Sequence, residues 1–100
     1  MQEQLRIYSI KPGEMDEWLA EWRVKIAPLR EREGFKVLGA WTLEAQNRFI
    51  WILGYSGDKE WQEADEAYYQ LAARTSMEPD PARHIAKSES WLLRRQWLDS

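Results

Sequence analysis

The stretch RFIWILGYSG, Arg48 to Gly57, constrains the fold more than any other part of the chain. With a period of two, Phe49, Trp51, Leu53 and Tyr55 point to one side and Ile50, Ile52 and Gly54 to the other, so neither face is polar. A strand of that kind is buried on both sides. One hundred residues form one domain, residues 1–100, with a single hydrophobic core. Such a chain has little left with which to cover a second face.

The neighbouring segments supply the rest of the fold. Leu5, Ile7 and Ser9 alternate with Arg6, Tyr8 and Ile10, and Lys11-Pro12-Gly13 follows, which predicts a strand over Leu5 to Ile10 and a turn. From Glu14 the period changes: Met15, Trp18, Leu19, Trp22, Ile26 and Leu29 form one helical stripe that Gly34 ends. Pro28 should kink its last turns. Glu14, Asp16 and Glu17 near its start and Arg30 and Arg32 near its end match the helix dipole. Phe35 to Leu43 predicts a second strand, with Phe35, Val37, Gly39 and Trp41 on one face and Lys36, Leu38, Ala40 and Thr42 on the other. Glu44 to Asn47 then serves as a hairpin turn into the opening stretch. Ser56-Gly57-Asp58 offers a turn and an N-cap for a second helix with the stripe Trp61, Ala64, Tyr68, Leu71 and Ala72, ending near Arg74. Asp80-Pro81 predicts a short helical turn over Pro81 to Ile85, and Ser88 to Arg95 a last strand.

The order β-α-β-β-α-β is the ferredoxin-like arrangement, an α+β fold in which two helices cover one face of a four-stranded antiparallel sheet. Nothing in the chain remains for the other face, which is expected to carry several of Ile50, Ile52, Leu38, Ala40, Ile10 and Tyr8. A second copy packed sheet to sheet would cover it, giving a barrel-like homodimer. Seven tryptophans, Trp18, Trp22, Trp41, Trp51, Trp61, Trp91 and Trp97, also carry more apolar area than a small monomer usually hides.

Charge and composition narrow the function. The net charge is −3, with 14 basic residues scattered among 17 acidic ones, so a nucleic-acid partner is not expected. There is no cysteine, which excludes disulfides, thiolate metal sites and a cysteine nucleophile. No apolar run approaches the roughly 18 residues that span a bilayer, so no membrane partner is expected and the cytoplasm is the expected location.

The segments LRIYSIKPG, PLREREGFKVLGAWT and ILGYSGD resemble the NIPSNAP family, whose members carry a Leu-Arg-x-Tyr…Pro-Gly opening and a Gly-Phe…Leu-Gly-x-Trp second strand. The resemblance covers roughly Leu5 to Ala73 and implies a dimeric α+β barrel. The wider superfamily it implies includes cofactor-independent monooxygenases and haem-degrading enzymes, so fold alone selects no reaction. Two departures matter. Where relatives often have Trp-x-Tyr on the third strand, this chain has Leu53-Gly54-Tyr55, with Trp51 one pleat away on the same face. The second helix, EWQEADEAYYQ, is acidic and lacks the arginines that relatives tend to carry, so if those arginines hold an anionic group in relatives, that function is not expected of this helix.

Candidate chemistry is sparse. His84 is the sole histidine, and it sits before the last strand, where it could reach a pocket mouth as an acid–base group; the alternative is an exposed loop histidine. Tyr68 and Tyr69 are adjacent on a helix, so Tyr68 fits the apolar stripe and Tyr69 is freed for catalysis. Arg6, Tyr8, Trp41, Trp51 and Tyr55 are the expected ligand-binding residues of a pocket between sheet and helices, suited to a small apolar or aromatic molecule. Aromatic residues at these spacings also build plain core. Arg6 on an apolar strand needs a partner, either a carboxylate such as Glu89 or an anionic ligand. The acidic groups Glu14-Asp16-Glu17 and Glu63-Asp65-Glu66 read as solvated helix faces, and no metal and no cofactor are expected. The reading is a homodimeric protein that binds or transforms a small apolar or aromatic molecule without a metal, transformation being in the manner of the cofactor-independent monooxygenases that the resemblance implies. Its alternative is a non-catalytic binding or interaction module whose aromatics only form core and interface.

Overall fold

A computed structural model describes residues 1–96; Trp97, one of the seven tryptophans, lies outside the described residues. The strands are β1 (Gln2–Ile10), β2 (Phe35–Leu43), β3 (Arg48–Tyr55) and β4 (Ile85–Leu93). They form one antiparallel sheet in the order β2-β3-β1-β4, which is the ferredoxin-like topology expected. The last strand starts three residues earlier than Ser88 and stops before Arg95, and β1 begins at Gln2 instead of Leu5.

The first helical segment is not one regular helix. It runs as α1 (Met15–Glu21), a π-helical turn (Trp22–Ile26) and α2 (Ala27–Arg32). Three apolar residues spaced by four, Trp18, Trp22 and Ile26, would drift by about 40° per step around an α-helix. The wider turn takes up that drift and keeps all three buried on the sheet. It also lies just ahead of Pro28, whose missing N–H would leave a gap in an α-helical ladder. The second helical segment is split as well, into α3 (Trp61–Gln70) and a single turn α4 (Ala72–Thr75), because Leu71 takes an extended conformation with φ −59° and ψ 138°. Asp58 is not its N-cap: Glu60 holds that position without a capping side-chain bond. A 3-10 turn over Pro81–His84 follows, capped as expected by Asp80, whose carboxylate accepts from the Ala82 amide at 2.9 Å.

Phe49, Trp51, Leu53 and Tyr55 of β3 face the helices and are buried, with Leu53 fully enclosed. Tyr8 and Ile10 of β1 share that face, so they belong to the helix-side core and not to the open face where they were expected. The layer interlocks through edge-to-face rings: Trp22 meets Phe49 at 5.0 Å and Trp51 at 5.5 Å, and Trp18 meets Phe49 at 5.6 Å between centroids.

β2 departs from the simple alternation. Val37 pairs with Leu53 and Gly39 with Ile52, so Leu38 is an extra residue and the strand changes face there. Phe35 and Val37 face the helices, but beyond the bulge Gly39 and Trp41 lie on the open side and Ala40 and Thr42 on the helix side. The expectation that Trp41 shares a face with Phe35 is therefore corrected. The Trp41 ring folds over Gly39, where a Cβ would collide with it.

The open face then reads as two cross-strand rows. Trp41, Ile50 and Ile7 form one, and Gly39, Ile52, Leu5 and Trp91 the other. Trp41 is 54% and Trp91 49% exposed, and no element among the described residues covers them.

Replacing Leu53 by Ala should lower stability by about 2–5 kcal/mol, because its cavity would sit in a layer locked from both sides. Urea denaturation measures it, and a loss below about 1 kcal/mol would place the core elsewhere.

Candidate functional site

A cavity of about 20 Å³ lies between the sheet and the helices, lined by Tyr8, Trp18, Ile26, Arg30, Trp51, Tyr68, Tyr69, Arg74 and Ala82. That is room for about one or two water-sized atoms. Most of the lining is buried; Tyr69, 40% exposed, and the half-buried Ala82 mark the way to solvent.

Three arginines enter this aromatic layer from different elements. Arg6 comes from β1 and is the best satisfied: its Nε donates to the Tyr8 hydroxyl at 2.9 Å, Nη1 to Gln4 Oε1 at 2.8 Å and Nη2 to the Tyr69 hydroxyl at 2.8 Å. Asp65 lies 3.5 Å from it, so the expected pairing with Glu89 is replaced by one with α3; Glu89 pairs with Ile7 and faces the open side. Burial works against the Arg6 charge, but the Tyr8 and Tyr69 oxygens and Asp65 outweigh it and raise its pKa.

Arg30, only 1% exposed, comes from the last turn of α2. Its guanidinium carbon sits 3.7 Å from the Tyr68 ring centroid and 4.6 Å from that of Phe35. Nη1 lies 2.8 Å from Asp65 Oδ1, yet its N–H is not aimed at that oxygen and makes no hydrogen bond, and Nε has no partner. Arg74, from α4, reaches Asp80 at 3.1 Å while its Nε also lacks a partner. The Trp18 indole N–H and the Tyr68 hydroxyl are buried without partners too. Burial raises the pKa of Tyr68 against the pull of Arg30 and Arg74, and burial likewise raises that of Tyr8 against Arg6. Both phenols are therefore neutral at pH 7 and available as donors.

Of the residues expected at the site, Arg6, Tyr8, Trp51 and Tyr69 meet here: Tyr8, Trp51 and Tyr69 line the cavity, and Arg6 bonds to two of them. Trp41 lines a separate open groove with Leu19, Trp22 and Arg23. Tyr55 packs on Phe35 at 4.9 Å, at the far end of the layer. Tyr68 lines the cavity beside Tyr69, their rings meeting edge to face at 5.1 Å. Sequence reasoning missed Trp18, Arg30, Asp65 and Arg74. A signal existed for two of them: Arg30 stands four residues after the buried Ile26, and Asp65 four before Tyr69, so each shares a helix face with an inward residue.

His84 lies outside the cavity lining and is not exposed. It is 2% exposed, under α1, with Nδ1 2.7 Å from Glu14 and Nε2 3.1 Å from Glu21. A carboxylate on each ring nitrogen calls for two donors, which only the imidazolium supplies. Burial opposes that charge, but the bonds to Glu14 and Glu21 outweigh it and raise the pKa above 6.5. Arg83, with His84 and against burial, holds Glu21 at about 2 through two bonds of 2.8 Å. Glu17, Glu21 and His84 bring donor atoms within 4.8 Å of one another, a set that could hold a cation. Arg83 and His84 already occupy the Glu21 oxygens that a cation would need. Asp16 and Glu17 are exposed, as expected of a solvated face, whereas Glu14 and Glu21 clamp α1 to the turn before β4.

The NIPSNAP family model matches residues 3–96, well beyond the Leu5 to Ala73 segment that carries the motifs. An uncharacterized NIPSNAP domain protein from Burkholderia xenovorans superposes with a TM-score of 0.83 at 17% identity, over 100% of this chain and 99% of that one. A NIPSNAP family protein from Agrobacterium tumefaciens gives 0.82 at 20% identity, over 95% and 85%. A putative antibiotic biosynthesis monooxygenase from Nitrosomonas europaea gives 0.69 at 12% identity, over 97% and 100%. At these identities the likeness is one of fold. No curated protein matches the chain.

The clamp has a pH window. The raised His84 pKa means its contribution is complete below about 6.5 and fades as pH rises through the folded-state value; the lowered Glu21 pKa means its contribution is complete above about 4.5 and fades as pH falls. Thermal midpoints should therefore fall between about pH 6 and pH 9 in the native chain, and this fall should be absent in His84→Gln. Parallel profiles for the two proteins would refute the clamp.

Proposed function

The chain belongs to the NIPSNAP family, and from that premise we propose that it is a homodimeric protein that binds a small molecule in the cavity between sheet and helices. The observation that carries this is a cavity walled by aromatic rings whose lining residues include buried donors without partners, Trp18 Nε1 and the Tyr68 hydroxyl among them. Each unpaired group costs about 1–3 kcal/mol. Trp22 and Trp61 carry single unpaired N–H groups elsewhere in the core, whereas around this one space Trp18, Arg30, Trp51, Tyr68 and Arg74 all carry at least one such group.

The lining favours binding over turnover. An oxygenase of the cofactor-independent type needs a group that takes a proton from its substrate. Tyr8 and Tyr68 are kept neutral, and Asp65 is engaged with Arg6 and Arg30. His84 serves the clamp instead. The monooxygenase-like neighbour shares the fold without supplying such a base here.

The second copy is argued from the open face. Ile7, Ile50, Ile52, Leu5, Trp41 and Trp91 form a continuous apolar surface on a sheet whose other side is already packed. Such a patch marks an interface. The rows run through the two central strands, so a copy related by a two-fold axis would meet the same rows.

Native mass spectrometry of gently purified protein should show a dimer carrying extra small-molecule mass. Ala82→Trp, which plugs the mouth of the cavity, should remove that mass and leave the dimer. Bare protein from several preparations would sink the ligand reading. Ile52→Lys should in turn give a folded monomer by sedimentation, a loss of about 2 kcal/mol or more in association. A dimer unaffected by this change would place the interface elsewhere.

A further inference from the structure

We propose that the ligand of this cavity is an organic acid, its carboxylate held by Arg30, Arg74 and Tyr68 and its aromatic or apolar remainder leaving past Tyr69 and Ala82. This rests on the reading of the cavity as a ligand site and names the class of ligand it takes.

Charge balance is the first reason. Arg6, Arg30 and Arg74 bring three positive charges into the layer, and among the described residues Asp65 and Asp80 are the carboxylates within ion-pair distance of them. Asp65 is shared between Arg6 and Arg30, and the Asp80 side chain is 56% exposed, where water weakens its hold on Arg74. One positive charge is left over in a space where an uncompensated ion is costly. A water molecule would fill the cavity without removing that charge. An anion would do both.

Donor geometry is the second reason. Nε of Arg30, Nε of Arg74 and the Tyr68 hydroxyl lack partners, and the side chains of all three residues line the cavity while being at least nine-tenths buried. The Tyr68 ring lies 3.7 Å from the Arg30 guanidinium carbon, a stacking distance that leaves the guanidinium edge for hydrogen bonding. A guanidinium edge matches the two oxygens of a carboxylate. With its pKa raised, Tyr68 stays a phenol that can donate to the same group. These groups are donors, so a neutral apolar ligand would leave them as unsatisfied as they are now.

Size sets the division of the ligand. A cavity of about 20 Å³ accepts the oxygens of a carboxylate and excludes a six-membered ring. The remainder must lie at the mouth, against the Tyr69 ring. This also answers the expectation that the acidic second helix cannot hold an anion: β1, α2 and α4 supply the positive charge in its place.

Benzoate, its neutral counterpart benzamide, and formate test the idea, followed by tryptophan fluorescence, since Trp18 and Trp51 line the cavity, and by thermal shift. Benzoate should bind saturably, and benzamide and formate at least about tenfold more weakly. Arg30→Gln and Arg74→Gln should each weaken benzoate by about tenfold or more and bring it level with benzamide, while the exposed Arg32→Gln should leave it unchanged. Should Arg30→Gln lose its cooperative unfolding, Arg74→Gln decides alone. Benzoate and benzamide binding equally would keep the ligand cavity and overturn the anion. Formate equal to benzoate would overturn the apolar remainder. An equal loss in Arg32→Gln would reduce the effect to general charge attraction and overturn the site. Binding of none of the probes, with the cavity still closed to them, would overturn the proposal and the cavity reading together.

Discussion

A four-stranded sheet has two faces, and this chain has helices for one of them. That constraint organises everything else. The helices settle over β1 and β3, so the residues from those strands on that side, Phe49, Trp51, Leu53 and Tyr8, become the core. The opposite residues of the same strands, Ile7, Ile50 and Ile52, are apolar as well and remain partly exposed on the open side. Central strands that are apolar on both faces belong to sheets covered on both faces. The chain alone meets half of that requirement, and the proposed second copy meets the rest.

The same constraint concentrates polar chemistry on the helix side. Tryptophan and tyrosine rings are large, and a layer built of them leaves gaps at the points where rings meet edge to face. Arg30 fills one such point, stacked on Tyr68 and near Phe35. Asp65 stands between it and Arg6, so one carboxylate ties the last turn of α2, the middle of α3 and the centre of β1 together. This tie joins elements far apart in sequence, and it makes the cavity wall and the packing of the helices a single structure.

The strand rhythm made most of this fold legible. Alternation in β1 and β3 and the stripe from Met15 to Leu29 gave the element order, and order with antiparallel pairing allows few topologies. What alternation cannot show is an extra residue. Leu38 has nothing in its chemistry that marks a bulge, and the change of face it causes moves Trp41 from the presumed pocket to the open side. The cavity was legible where side chains obeyed strand logic, as with Arg6, Tyr8 and Trp51. It was harder to read where a charged residue occupies an inward helix position: Arg30 and Arg74 near helix ends look like partners for the helix dipole, and of the two Arg30 alone carries an inward signal, its spacing of four from Ile26. His84 was hidden for a related reason. Its partners Glu14 and Glu21 lie 70 and 63 residues away, and no local pattern links a turn before the last strand to the first helix.

Stability does not account for the arginines. Clusters of buried ions are commonly matched or bettered in stability by apolar residues of similar volume, because their attraction barely offsets the loss of hydration. A leucine or methionine at position 30 or 74 would pack against the same rings without an unpaired Nε. The His84 clamp shows what a purely structural ion cluster in this chain looks like: both ring nitrogens are engaged, and the Arg83 guanidinium binds both Glu21 oxygens. The cavity differs in that respect. Around it Arg30, Arg74, Tyr68 and Trp18 each keep a buried donor without a partner, and the proposed ligand would supply the acceptor that these groups lack.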